Sequence, residues 1–96
     1  MHHVQSFALP GLTLDAIKCL TIAHDFVGDE LRDQTRLTIL SLRTAHTTEA
    51  AETIAVLRRT AKHLVEVEEN LNQTHRHITA EKVRHVRQRV QHLVLS

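Results

Sequence analysis

Apolar residues recur along this chain at helical spacing, in several separate stripes. The first stripe consists of four residues that are separated by intervals of four, three and four: Leu20, His24, Val27 and Leu31. Side chains at such intervals lie on one face of an α-helix. Leu37 and Leu40 form a second stripe nearly opposite, after a run of charged residues. We predict one helix over residues 13–45 with a charged middle section. The alternative is a break at Gly28, with Asp29 capping a second helix.

Turn and capping signals divide the rest of the chain. Pro10 and Gly11 predict a turn, after which Thr13 is placed to cap the first helix. A second main helix is expected to start after Thr47 or Thr48. Its apolar face alternates by threes and fours, as in a heptad repeat, with one interruption by a glutamate. The positions are Ile54, Leu57, Ala61, Leu64, Glu68 and Leu71.

The last apolar stripe is shifted by one residue from the stripe before it. Its members are Val83, Val86, Val90 and Leu93. The chain has no glycine or proline after residue 28, which favours a continuous helix whose apolar face drifts. A separate basic C-terminal helix over residues 79–95, capped by Thr79, is the alternative.

These elements predict an all-α protein with one domain. Its fold is a long antiparallel helical hairpin of residues 13–45 against 48–78, with three or four helices if the breaks occur. Residues 1–12 are expected to form an N-terminal arm, and 13–96 a single helical domain. A chain of 96 residues has a small core, and two helices leave one side of each apolar face open. We therefore expect a homodimer that forms a four-helix bundle.

Composition narrows the classes of function. The chain has two phenylalanines and no tryptophan or tyrosine, whereas aromatic side chains line most small-molecule pockets. Its single cysteine, Cys19, excludes CxxC metal and redox motifs. No apolar run approaches the ~18 residues of a membrane span, and the N-terminus is unlike a signal peptide. We expect a cytoplasmic protein that uses no cofactor.

Nine histidines raise the question of a metal site. Two ligands on one helix face must be three or four residues apart, and no two histidines have this spacing. His75 and His77 would face away from each other in a helix. Glu81 with His85 has the required spacing, but this combination is more typical of a surface charge pair. We predict no metal site.

The segment IAHDF, residues 22–26, contains a histidine followed by an acid, His24 and Asp25. It resembles the phospho-acceptor box of histidine-kinase dimerisation domains, and the predicted hairpin resembles their topology. The resemblance implies that His24 accepts a phosphoryl group and that Asp25 orients its imidazole. Because the sequence contains no ATP-binding domain, the implied role is phosphotransfer within a homodimeric bundle.

Two further resemblances rest on short motifs. HITAE, residues 77–81, is similar to the aromatic-x-x-x-acid signal of the small WxG-type substrates of type VII secretion, which are helical hairpins. Arg58 with His63, and Arg87 with His92, resemble the Arg-x-x-x-x-His spacing of one class of helical ribonucleases.

Charge is unevenly distributed, although the net charge is only +1. Asp25, Asp29 and Asp33 follow at intervals of four and would form an acidic stripe on one helix face. The C-terminal helix carries a basic face formed by Lys82, Arg84, Arg87 and Arg89. This face suits nucleic-acid phosphate, an anionic membrane or an acidic protein surface, and it suits equally the acidic residues of the chain itself.

Together these features predict a small non-enzymatic interaction or regulatory protein that acts through protein–protein contacts. The acidic stripe and the basic face are the expected interaction residues. The alternatives are a phosphotransfer module that uses His24, a nucleic-acid-binding regulator that uses the basic C-terminal helix, and a WxG-like secretion substrate.

Overall fold

A computed structural model describes residues 8–45 and 49–94 of the chain. Within these ranges it contains four helices and no strand. The helices are α1 (Ala8–His24), α2 (Asp29–Ala45), α3 (Ala50–Gln73) and α4 (His77–Val94). The all-α prediction is confirmed. The predicted caps at Thr47 and Thr48 lie outside the described residues.

The four helices of a single chain pack against one another as a bundle. The consecutive helices α2 and α3 run antiparallel to each other. Three contacts between these two helices show the antiparallel direction, because the residue number rises along α2 while it falls along α3. They join Gly28 to Asn70, Thr35 to His63 and Ala45 to Thr53. The first and last helices also touch, through Asp15 with Arg89. One copy thus supplies the packing that we expected from two.

The core confirms most of the predicted apolar positions. On α3, Leu57, Ala61, Leu64 and Leu71 are buried, and on α4 Val83 and Val90 are completely buried. The second stripe of the sequence differs from expectation. The buried side of α2 is formed by Thr35, Ile39 and Leu42, whereas Leu37 and Leu40 lie on the outer side, 61% and 50% exposed.

The predicted single helix over residues 13–45 is wrong, because α1 ends at His24 and α2 begins at Asp29. Arg32, a residue of α2, stabilises this break through two hydrogen bonds. Its Nε donates to the carbonyl of His24 at 3.1 Å, and a terminal guanidinium nitrogen donates to the carbonyl of Val27 at 3.1 Å. Asp29 lies at the start of α2, where the helix dipole favours negative charge. The alternative with a break near Gly28 is therefore the observed one.

The first helix begins earlier than the sequence suggested. It starts at Ala8, so the turn predicted at Pro10 and the cap predicted at Thr13 are wrong. Proline is compatible with a first helical turn, where its missing N–H has no helical partner. The Thr13 hydroxyl instead donates to the carbonyl of Leu9 within the helix, at 2.7 Å. Residues 8–12 of the expected arm are thus helical.

A second break separates α3 from α4, although no glycine or proline is present there. His75 has a φ of 62°, the left-handed conformation that usually calls for glycine. The backbone N–H of Arg76 donates to the carbonyl of Leu71 at 2.8 Å, and that of His75 donates to the carbonyl of Asn72 at 3.1 Å. These two bonds form a Schellman motif that ends α3. The continuous helix that we favoured is wrong, and α4 starts at His77, two residues before Thr79.

We expect His75→Gly to raise the free energy of unfolding by about 0.5–1 kcal/mol, because glycine adopts a positive φ without the steric cost of a side chain. Thr74→Gly is the matched control. Thr74 has a φ of −97° and its hydroxyl donates to Asn70, so this variant should be destabilised. Urea unfolding followed by circular dichroism distinguishes the two. A loss of stability in His75→Gly would contradict the expectation.

Candidate functional site

His24 is the last residue of α1, and its imidazole lies beside the carboxylate of Asp25. The distance from His24 Nδ1 to Asp25 Oδ1 is 3.2 Å, and the side chains are 29% and 78% exposed. The structure thus brings the two predicted residues together. If Nδ1 carries the proton that Asp25 accepts, Nε2 keeps a lone pair. The pair lies at a helix end rather than within a helix.

A groove of about 270 Å³ lies between α1 and α2 beside His24. Arg36 and Arg43 line it from α2, together with Ile39 and Leu40. Arg36 also pairs with Asp33 at 2.9 Å. The sequence did not connect these arginines with His24, because the predicted single helix kept α1 and α2 from packing side by side. The groove combines an imidazole with two guanidinium groups.

The predicted acidic stripe is not a single helix face, because the chain breaks between its members. Asp25 lies in the turn after α1, whereas Asp29 begins α2 and Asp33 follows one turn later. Asp29 is 3.4 Å from Arg32, and Asp33 is 2.9 Å from Arg36. Two of the three carboxylates are thus partly neutralised by arginines of their own helix.

A different acidic surface is formed where α2 begins beside the end of α3. We call it the acidic groove, with a volume of about 420 Å³. Its carboxylates come from both helices: Asp29 and Glu30 from α2, Glu66 and Glu69 from α3. Asn70 lies in the groove and its Oδ1 accepts from the backbone N–H of Gly28 at 3.4 Å. Only the register between α2 and α3 brings these residues together.

The basic face of α4 is largely paired within the chain. Arg87 Nε lies 2.6 Å from Glu68 Oε1 on α3, and both side chains are less than one fifth exposed. Arg89 reaches Asp15 of α1 at 2.8 Å, and Arg84 reaches Glu81 at 3.0 Å. Lys82 is exposed. Arg87 and Arg89 therefore tie α4 to the bundle, whereas Arg84 pairs within α4 itself.

His75 and His77 do not face away from each other, because they lie in the turn and at the start of α4 rather than within one helix. Their ring centroids are 6.0 Å apart in an edge-to-face arrangement. His77 Nδ1 is 2.9 Å from Asn72 Oδ1. Across residues 8–45 and 49–94, no three His, Cys, Asp or Glu side chains are grouped as metal ligands.

Other sequence candidates are separated by the fold. Arg58 Nε donates to the carbonyl of Val94 at 3.0 Å, whereas His63 is buried against α2, so the first Arg-x-x-x-x-His pair forms no common site. Burial raises the pKa of the Cys19 thiol to about 12. Cys19 therefore does not form the thiolate that nucleophilic chemistry requires at neutral pH.

His63 is a buried polar residue that links α3 to α2. Its Nε2 lies 2.7 Å from the hydroxyl of Thr35, which itself donates to the carbonyl of Leu31 at 2.8 Å. Since that hydroxyl has a single proton, the Nε2–H of His63 donates to Thr35. Burial lowers the pKa of His63 by disfavouring the charged ring, and the nearby Glu66 opposes this effect.

This lowered pKa makes stability depend on pH. Above a pH of about 6.5, the ordinary histidine pKa, the neutral ring makes its full contribution to the free energy of unfolding. As the pH falls below that value, the unfolded chain binds the proton more readily than the folded one, so the free energy of unfolding decreases. We expect the urea midpoint to fall between pH 7.5 and 5.5, and to fall less in His63→Leu. The exposed His85→Gln should behave like the wild type. An equal decrease in His63→Leu would contradict this prediction.

No family model, no curated protein and no solved structure matches the chain. None of the four described helices is both long and apolar enough to cross a membrane.

Proposed function

We propose that this chain is a small, non-enzymatic, cytoplasmic interaction protein that binds a basic segment of a partner protein. The acidic groove is the observation that supports this proposal. It places carboxylates from α2 and α3 around one cleft, and amide side chains that can bond a peptide backbone lie beside them. The basic face of α4 is mostly paired within the chain, through Arg84, Arg87 and Arg89.

The test is native mass spectrometry of the protein purified from its own cell. The double variant Glu30→Gln/Glu69→Gln removes two exposed charges from the groove, one on each helix. The double variant Glu49→Gln/Glu52→Gln removes two exposed charges outside the groove. We expect the partner to be lost at moderate salt from the first variant only, because the contact is electrostatic. Equal retention by both variants would overturn the proposal.

A second candidate function is phosphotransfer through His24. The observation that favours it is the groove that His24 shares with Arg36 and Arg43, because guanidinium groups bind phosphoryl oxygens. Nε2 of His24 would form the N–P bond as the P–O bond of an acyl phosphate donor breaks. Acid-labile phosphate should appear in the wild type, decrease in Arg43→Gln and be absent in His24→Gln. No acid-labile phosphate in the wild type would exclude this candidate.

Nucleic-acid binding is the third candidate, and it rests on Lys82 and Arg84 at the exposed part of the basic face. A gel-shift titration tests it, since phosphate contacts make binding strongly dependent on salt.

A further inference from the structure

The outer face of α2 carries apolar side chains that the core does not use. Asp33, Leu37, Leu40 and Thr44 follow at intervals of four, three and four, on the side opposite the buried Thr35, Ile39 and Leu42. Leu37 and Leu40 are 61% and 50% exposed. Spacings of three and four are those of a helix that packs along another helix. We call this set of four residues the outer α2 face.

We infer that the outer α2 face binds the same face of a second copy, in an antiparallel arrangement. Charge complementarity supports a second copy as the occupant and an antiparallel direction. All acids of α2 lie in its first half, at Asp29, Glu30 and Asp33, beside Arg32 and Arg36, whereas its second half carries Arg43 and no acid. Two such helices place unlike charges together when they run antiparallel. A parallel pair would place Asp33 opposite Asp33.

The register follows from the two leucines. With the two-fold axis between residues 37 and 40, Leu37 packs against Leu40 of the second copy, and the same contact occurs twice. Asp33 then lies one turn further on, close to Arg43 of the second copy. Arg43 is exposed and has no ion pair within the described part of the chain. Arg36 also contacts Asp33 at 2.9 Å. Asp33 therefore lies between two positive charges, Arg36 of its own copy and Arg43 of the second copy.

This contact goes beyond the proposed function, because it uses different residues from the acidic groove. It also replaces the original reason for expecting a homodimer, since the bundle is complete in one copy. A single pair of helices buries less area than the standard interface of about 800 Å² per partner. The dimer should therefore be weak.

Sedimentation equilibrium between about 5 and 500 μM tests the inference, and it uses the purified chain alone. We expect a reversible monomer–dimer equilibrium in the wild type, and at least about a tenfold weaker dimer in Leu37→Glu and Leu40→Glu. Ile78→Glu is the matched control, because Ile78 is 79% exposed on another helix. A wild type that stays monomeric at all concentrations would overturn the inference, and so would a Leu37→Glu variant with unchanged dimerisation.

A charge exchange tests the direction separately. Asp33→Arg and Arg43→Asp should each weaken the dimer, and the double variant Asp33→Arg/Arg43→Asp should recover most of the affinity. No recovery would overturn the antiparallel arrangement. Circular dichroism verifies that each variant remains folded. The test is independent of the proposed function: a monomeric chain that still binds its partner through the acidic groove refutes only the dimer.

Discussion

Replacing Arg87 with alanine is expected to lower the free energy of unfolding by about 2–3 kcal/mol. The change leaves Glu68 without its partner in a site where both side chains are less than one fifth exposed. An uncompensated charge in a buried pair costs several kcal/mol, and the remaining exposure reduces that cost. Urea unfolding measured by circular dichroism gives the value. This residue belongs to the basic face, yet its main effect is on the fold.

Two variants make the Arg87 prediction specific. Arg84→Ala breaks an ion pair with Glu81 on the surface, where side chains are 45% and 59% exposed, and should change stability by about 0.5 kcal/mol or less. The double variant Arg87→Met/Glu68→Leu removes both charges and should recover much of the lost stability. Similar losses in Arg84→Ala and Arg87→Ala would show that the buried pair does not contribute as described.

Leu57→Ala should lower the free energy of unfolding by about 3 kcal/mol, whereas Leu37→Ala should change it by about 0.5 kcal/mol or less. The chemical change is the same, but Leu57 is 0% and Leu37 is 61% exposed. A domain is stable by roughly 5–15 kcal/mol in total, so the first variant loses a large share. Thermal and urea unfolding of both proteins, at a concentration where the chain is monomeric, provide the comparison.

The Leu37→Ala variant also tests which side of α2 faces the core. Ile39→Ala supplies the control on α2 itself, because Ile39 is buried and should be destabilised by about 2–4 kcal/mol. If Leu37→Ala were as destabilising as Ile39→Ala, the outer α2 face would be part of the core, and the dimer surface would not exist.

Much of the fold could be predicted from the sequence, because helical periodicity records which positions meet a neighbour. The stripe through Leu57, Ala61, Leu64 and Leu71 identified α3 and its buried side. The helix ends were harder. The α1–α2 break depends on Arg32, which bonds carbonyls five and eight residues earlier. The α3–α4 break uses a histidine where glycine is usual. Gly28 indicated the first break only as an alternative, and no glycine or proline marks the second.

The candidate sites could be predicted only in part. His24 and Asp25 are adjacent in the sequence, so their contact could be expected. The acidic groove could not, because Glu30 and Glu69 are neighbours only through the register of α2 on α3. The contact between Arg87 and Glu68 could not be predicted either, because it depends on how α4 packs on α3. It joins a residue of the basic face to the glutamate that interrupts the α3 stripe. The glutamate in that apolar stripe was an indication that a buried cation would accompany it.

The contact between the first and last helices has a practical consequence for protein engineering. Ala8 and Leu93 line the same cavity between α1 and α4, so the two described ends of the chain lie side by side. Chains with adjacent ends tolerate circular permutation. A short linker from residue 94 to residue 8, with new termini opened at the exposed turn of residues 74–76, would preserve all four helices. Such a permutant would present the α3–α4 turn as two free ends, to which a reporter could be fused.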